Sequence, residues 1–562
     1  MSSETKTCQN CKNEFCVEPE DFEFYAKIKV PPPTFCPECR LMRRLAWQGF
    51  NSLYKRKCDF SGDMVVSNQH PDNGHKVYRQ DIWWSDKWDP KEYGREYDFS
   101  RPFFTQFAEL FQDVPLPSLN VEYTTMVNSE YCNGAATLKN CYLCFRADHG
   151  EDCAYLTSIT YMKDCFDQTF SDRSELSYFS SKLLNCYQCF YSYNCDNCQD
   201  VWFSRDLVGC SSCIGCIGLR NKKYHIFNKP VTKEEFGDAL KKFDFGSHKN
   251  TENFKREAKE FMLKFPRREY CGKNAINSSG DYLYNVKNVL NSFIVSDGEN
   301  CKFVQFIKSP ARNSMDYTMF GMNGEWIYES AWVGLTVNTI KFGVWDYGAH
   351  HLEYSFGCHS SGNLFGCVGV RGGEYCILNK QYSKEKYEAL VPKIIKHMND
   401  MPYRDARGRE YRYGEMFPVE LSPWAYNESL ADEWFPSSKE DALAKGFSWR
   451  DPDKKEYQDA TVNIPDHVKD VGDDILNGIL KCVSCGKNYL LIRIELDFYR
   501  RFNVPIPRKC PSCRTRERLD EFNPIKLYNR KCAKCGKDIK TSYAPDRPEI
   551  VYCEQCYQAE VV

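Results

Sequence analysis

The spacing Cys8-x2-Cys11-x24-Cys36-x2-Cys39 opens the chain, and the same layout returns as Cys482-x2-Cys485-x24-Cys510-x2-Cys513. A third set, Cys532-x2-Cys535-x17-Cys553-x2-Cys556, has a shorter stretch between its pairs. Two thiolates on one tight turn can each approach a tetrahedral zinc at ~2.3 Å without strain, and a second turn brought over by a hairpin completes the shell. The spacing therefore predicts three structural zinc ions, held by Cys8, Cys11, Cys36 and Cys39, by Cys482, Cys485, Cys510 and Cys513, and by Cys532, Cys535, Cys553 and Cys556. Four thiolates leave no open position for water, so these sites are expected to hold a fold together and not to catalyse. Zinc supplies ~10–16 kcal/mol of folding energy to modules this small.

The two ends of the chain match without a gap at a shift of 474 positions: Cys8, Phe24, Tyr25, Pro33, Cys36, Pro37, Cys39, Arg40 and Arg44 fall on Cys482, Phe498, Tyr499, Pro507, Cys510, Pro511, Cys513, Arg514 and Arg518. The shift continues through Cys58 onto Cys532, but Cys535, Cys553 and Cys556 meet Ser61, Arg79 and Ile82. Each end reads as a two-site module, the N-terminal copy having lost its second metal.

The centre also matches itself, with drift. Lys139, Gly150, Glu151 and Cys153 fall on Lys287, Gly298, Glu299 and Cys301 at an offset of 148. Asp167 and Thr169 meet Asp316 and Thr318 at 149, Glu175 meets Glu325 at 150, and Cys216 meets Cys367 at 151. Such drift is what tandem duplication with small insertions leaves. The segments are short, aromatic and β-branched, punctuated by Asn, Asp, Gly and Ser, which is strand-and-turn sequence. Asx-Cys steps at Cys141, Cys153, Cys165, Cys186, Cys195 and Cys198 favour a β-solenoid with stacked like residues, a β-sandwich being the alternative. Thr232 and Ser383 are expected to cap helices that close each unit. The fold class expected is mainly β and multidomain, with zinc-ribbon or treble-clef modules flanking a duplicated β-rich centre.

The division predicted is a zinc module over 1–84, an aromatic connector over 85–130, a first β-rich unit over 131–245 and a helical linker over 246–280. A second β-rich unit follows over 281–400, then a Pro/aromatic connector over 401–477 and a zinc module over 478–562. Trp83, Trp84, Trp88, Trp424, Trp434 and Trp449 are expected to anchor the connectors.

The total of 31 cysteines is odd, and no apolar signal core opens the sequence, which points to a reducing, cytoplasmic setting over a secreted disulfide framework. Mean hydropathy of −0.60 and the lack of an ~18-residue apolar run argue against a membrane span. The seventeen cysteines between 132 and 376 read as small buried hydrophobes. The alternative is metal at Cys186, Cys189, Cys195 and Cys198, at Cys210, Cys213 and Cys216, or at His350, His351, Cys358 and His359.

The terminal pattern, Cys-x2-Cys, then Phe-Tyr, then Pro ahead of Cys-Pro-x-Cys-Arg, resembles small bacterial modules classed as probable zinc-binding domains. The whole chain, through PPPTFCPECRLMRRLAW, LYKRKCDFSG, WWSDKWDP and LSPWAYNESLA, resembles long zinc-ribbon proteins of unknown function from candidate-phyla-radiation bacteria. That resemblance implies zinc binding and no known activity.

Net charge is −2, yet residues 480–562 carry 17 Lys/Arg against 10 Asp/Glu, a balance of +7 that leaves −9 elsewhere. Arg40, Arg43, Arg44, Arg508, Lys509, Arg514, Arg516, Arg518, Arg530 and Lys531 beside the knuckles are candidate phosphate contacts. The favoured expectation is nonetheless a non-enzymatic zinc-binding scaffold that meets a protein partner through its β-rich centre, with nucleic-acid binding as the alternative. A carbohydrate-cleaving site on the centre, built on Asp167 with Asp316, Glu151 with Glu299 or Glu175 with Glu325, is the third reading. No small-molecule cofactor is expected.

Overall fold

The computed structural model describes residues 2–451 and 456–561; the connector predicted over 401–477 thus includes residues 452–455, which lie outside the described residues. The protein is mainly β, with two 13-stranded sheets in its centre. The first runs from Met126–Val127 to Lys229–Pro230 and the second from Gly272–Ile276 to Lys380–Gln381.

The N-terminal module is a hairpin, Glu4–Thr7 with Glu14–Val17, followed by two helices. The second helix, α1 (Pro37–Ala46), begins at an N-cap that is itself Cys36, with Pro37 in the first turn. Proline fits there because its missing N–H and fixed φ cost a starting helix nothing.

The parallel pairings of the first sheet join position i to position i+12, as in Phe145 with Thr157, Thr157 with Thr169, and Tyr187 with Gln199. The second sheet repeats this step at Lys287 with Glu299 and at Asn338 with His350. Three successive steps there run from i to i+13, taking Gly298 to Ala311, Gly324 and Val337. Each is longer by a single position, which accounts for the drift of the sequence offset from 148 to 151.

The backbone turns into the left-handed region at every third residue: Asn140, Leu143, Arg146, His149, Asp152, Tyr155, Ser158, Tyr161, Asp164 and Asp167 all have φ between 49° and 61°. Between them the inward positions are Cys141, Cys144, Ala147, Cys153, Leu156, Ile159, Met162 and Cys165, each at most 3% exposed. So tight a course leaves room for few large side chains inside, and small residues that can donate a hydrogen bond suit it. The Cys165 thiol donates to the Lys163 and Ser174 carbonyls at 3.2 and 3.4 Å, and Ser180 Oγ donates to those of Tyr178 and Cys189 at 2.9 and 3.3 Å. Of the seventeen central cysteines, all but Cys271 are buried.

Each sheet ends in an antiparallel pair, Lys223–Ile226 with Lys229–Pro230 and Glu374–Ile377 with Lys380–Gln381. Helices α2 (Lys233–Phe243) and α3 (Lys384–Asp400) pack on these ends. Thr232 accepts from the Glu235 N–H and Ser383 from the Lys386 N–H, the caps expected from sequence. The C-terminal module repeats the N-terminal plan, with α4 (Arg493–Phe502) and α5 (Pro511–Leu519) after a hairpin. Helix α5 again starts at a cysteine, Cys510, with proline next.

Docking is crossed. Tyr25, Leu45 and Trp47 of the N-terminal module share one core with Tyr328, Ala331 and Tyr354 of the second sheet. Phe498 and Tyr499 of the C-terminal module share another with Phe166, Tyr178 and Phe190 of the first. The sheets meet each other through the stacked rings of Phe170 and Phe306, 5.9 Å apart, and a 2.6 Å bond between the Tyr193 and Tyr282 hydroxyls. All six connector tryptophans pack against the N-terminal core. Among the described residues no helix is long and apolar enough to cross a membrane.

Candidate metal centres and their docking onto the sheets

Among the described residues three groups can hold a metal ion, and they are the three predicted quartets: Cys8, Cys11, Cys36 and Cys39; Cys482, Cys485, Cys510 and Cys513; Cys532, Cys535, Cys553 and Cys556. In each, the four sulfurs lie within 4.8 Å of one another. Cys36 N donates to Cys8 Sγ at 3.2 Å and Cys553 N to Cys532 Sγ at 3.3 Å. Burial works to raise the Cys482 and Cys532 thiols, but backbone N–H groups of the paired knuckles outweigh it and hold both at about 6. One lowered thiol in each of these two quartets, with three more sulfurs within reach, suits a structural metal.

Cys58 keeps the local geometry of a knuckle, accepting from Ser61 N at 3.5 Å and Arg79 N at 3.3 Å. Where the C-terminal copy has its second knuckle, Arg79 instead pairs with Asp63 at 2.8 Å and Asp81 at 2.6 Å. The alternative metal positions do not assemble. The thiols of Cys186, Cys189, Cys195, Cys198, Cys210, Cys213 and Cys216 form a buried core stack. His350 and His351 are exposed, whereas Cys358 points into the second sheet's core. His359 lies elsewhere, against Trp83, Trp84 and Trp345, with ring centroids 6.0, 5.0 and 4.7 Å away.

The basic residues beside the knuckles are turned inward. Arg40 Nε donates to Asp316 Oδ2 at 3.0 Å, and Arg44 Nη1 donates to Asp316 Oδ1 at 2.9 Å and Glu329 Oε1 at 3.0 Å. Arg43 Nη2 donates to Glu329 at 2.5 Å and Glu415 at 3.1 Å. These three guanidinium groups and three carboxylates are each at most 5% exposed. On the other side, Arg518 Nη1 donates to Asp167 Oδ1 at 2.6 Å, and Arg514 donates to Asp167 at 3.1 Å and Glu495 at 3.2 Å. Even the accessory hydroxyls correspond: Arg44 Nε donates to Thr318 at 2.9 Å and Arg518 Nε to Thr169 at 3.1 Å.

The geometry follows from the helices that carry the candidate metal ligands. Cys39 lies in the first turn of α1, and Arg40, Arg43 and Arg44 follow it on one face; Cys513, Arg514 and Arg518 repeat the arrangement on α5. Both networks balance, three charges against three and two against two, as buried charges must. Burial works to lower the Arg40 and Arg514 pKa values, but Asp316 and Asp167 respectively lead the groups that outweigh it and hold both well above the ordinary range. Burial pushes the Glu329 and Glu495 carboxyls upward, against the pull of Arg43 and Arg514.

Of the ten basic residues named as candidate phosphate contacts, five are corrected. Arg40, Arg43, Arg44, Arg514 and Arg518 are at most 2% exposed, and each pairs with at least one carboxylate inside the protein. The other five are engaged as well. Arg508 donates to the Ile464 and Pro465 carbonyls and Lys509 pairs with Glu517. Arg516 pairs with Asp520, Arg530 donates to the Ala544 and Glu549 carbonyls, and Lys531 pairs with Asp538.

Five of the six carboxylates considered for catalysis have partners within the protein. Asp167 and Asp316 anchor the two networks, and Glu151 and Glu299 pair along the sheet face with Lys139 and Lys287 at 2.7 and 3.5 Å. Glu325 accepts from Asn313 at 2.9 Å. Sequence reasoning missed Glu329, Glu415 and Glu495 as functional groups. The retained Arg at each end and the retained Asp in each half mark only the shared part of the two networks, Arg44 with Asp316 and Arg518 with Asp167.

Comparison with known proteins returns no match: no family model, no curated protein and no solved structure matches this chain.

Proposed function

We propose that the protein is a non-enzymatic scaffold stapled by three zinc ions, which presents its β-rich centre to a protein partner. The observation that carries this reading is the inward turn of the knuckle arginines: the modules spend their recognition chemistry on Asp167 and Asp316. Zinc modules of this kind act as clasps within the chain, and the outer faces of the sheets remain for recognition. In this reading the modules are zinc-ribbon or treble-clef units and the setting is cytoplasmic, where thiols stay reduced.

Parallel pairing that advances from i to i+12 or i+13 at each step supports a β-solenoid for each half of the centre. The matched Arg44–Asp316–Thr318 and Arg518–Asp167–Thr169 sets support an origin by duplication, because an internal contact survives in two copies only when both halves of it are kept.

Affinity purification from the producing cell, with and without nuclease, tests the reading. A protein captured in near-equal amount after nuclease treatment agrees with it. Capture of nucleic acid alone, with filter retention that falls steeply between two salt concentrations, overturns it in favour of phosphate binding.

A further inference from the structure

Four distant parts of the chain enclose a cleft of about 250 Å³. Ser52 comes from the loop after α1, Phe145 and Thr157 from the first sheet, Asp432 from the second connector, and Ser512 with Leu519 from α5. Drug-sized pockets run from ~300 Å³ upward, so this volume suits a molecule of about one sugar ring. Its lining is mixed, with an apolar floor at Phe145 and Leu519 and hydroxyls around the wall.

Three carboxylates and one guanidinium line the cleft, and three of these four charges are matched within the protein. Glu428 accepts from Arg450 at 2.9 Å and Tyr54 at 2.5 Å, Glu433 pairs with Arg146 at 2.7 Å, and Arg516 pairs with Asp520 at 2.6 Å. Asp432 is the exception. Its one hydrogen bond is a 3.4 Å contact from Ser437 N, and no cation lies within ion-pair distance of it among the described residues. Burial pushes its carboxyl up, opposed by the Ser437 N–H and then by the charge of Arg516, while Glu433 adds to the push. A half-buried carboxylate that lines a cleft and makes no ion pair among the described residues favours an incoming cation through a charge-assisted hydrogen bond.

We propose that this cleft binds a small hydroxylated primary amine, with its ammonium on Asp432 and its hydroxyls among Ser52, Thr157 and Ser512. The site is independent of the protein-partner reading, because it lies between the module, sheet and connector and not on the outer faces of the sheets. A ligand there would touch both α5 and the connector.

Calorimetric titration of the full chain, metal-loaded and in an amine-free buffer, tests the proposal with D-glucosamine as the probe and D-glucose as the matched sugar without the ammonium. Saturable binding of D-glucosamine is expected, at least tenfold weaker for D-glucose and at least tenfold weaker for Asp432→Asn. Hydrogen exchange should slow in peptides covering residues 427–433 and 511–516 on addition of D-glucosamine. The Asp432→Asn chain should keep its metal content and near-UV signal, since Asn retains the acceptor for Ser437. Absence of saturable D-glucosamine binding, equal binding of D-glucose, or unchanged binding by a folded Asp432→Asn chain would each overturn the assignment.

Discussion

Arg518 Nη1 donates to Asp167 Oδ1 at 2.6 Å across 351 residues of sequence, and neither side chain is more than 2% exposed. Arg44 and Asp316 repeat this relationship across 272 residues, between the N-terminal module and the second sheet. Both arginines sit on helices whose first turns carry candidate metal-ligand cysteines, so the quartets and the docking share a lever arm.

Removing one anchor should be costly. Asp167→Asn leaves Arg514 and Arg518 buried with a partner lost, and breaking a buried pair this way costs about 3–5 kcal/mol. Urea denaturation of Asp167→Asn and of Asp316→Asn should give losses in this range. Replacing all four charges of the network, Asp167, Glu495, Arg514 and Arg518, together by apolar residues of similar size should recover much of the loss, because a buried ion pair is often no more stabilising than apolar residues of its size.

Asp346 sets a pH dependence of known sign. It is fully buried, accepts from Cys358 N and Ser355 Oγ at 2.8 Å each, and is raised by burial to about 7. Its folded-state pKa lies above the unfolded value, so the folded chain holds the proton more tightly. This contribution is fully present below about pH 4 and is lost as pH rises to about 7, by at most about 4 kcal/mol. Asp346→Asn should flatten the fall in stability measured by denaturation between those pH values.

Purified protein should carry three zinc ions per chain by atomic spectroscopy. The Cys58 position contributes none, because Arg79, Asp63 and Asp81 fill the place of its partners with an ion-pair cluster. A Cys58→Ser chain should therefore still hold three; a count of four in the parent chain falling to three in this variant would place a metal there.

The regular left-handed turns make an unusual substitution favourable. Leu335 has φ of 56° and is 45% exposed. A side chain with a Cβ pays ~1–2 kcal/mol in this region, whereas glycine loses ~0.5–1 kcal/mol of entropy on folding. Leu335→Gly should leave stability unchanged or raise it by up to about 1 kcal/mol in thermal denaturation. Gly280→Ala should act in the opposite direction, since φ there is 143° and a Cβ would lie 1.7 Å from the Ser292 carbonyl oxygen.

The metal quartets were legible in the sequence because both ligands of a knuckle sit on one turn, and local spacing records local geometry. The cysteine core was legible for a related reason: Asx-Cys steps such as Asn140-Cys141 and Asp152-Cys153 place a left-handed residue before an inward small one, and they recur at the i to i+12 step of the sheet. The docking was not legible. Arg40 and Arg514 stood out at the shift of 474, and Asp316 and Asp167 at the shift of 149, but nothing in the local pattern joins residues 276 or 347 positions apart. A cluster of Arg next to a zinc knuckle looks the same on the page whether it faces phosphate or a buried carboxylate; only the fold distinguishes them. Glu329 has Phe179 at its sequence-equivalent position, and Glu495 has Asp21, an acid that pairs with Lys302 and not with the knuckle arginines, so the second carboxylate of each network comes from a different element.

Hydrogen exchange of the full chain before and after metal removal tests the clasp most directly. The peptides to follow cover Phe166–Thr169 and Met315–Phe320, the strands that carry Asp167 and Asp316. If the metal-bearing helices hold these carboxylates through Arg514, Arg518, Arg40 and Arg44, chelation should remove protection from both strands together with release of metal. Full protection of both strands after all metal has left would contradict the account.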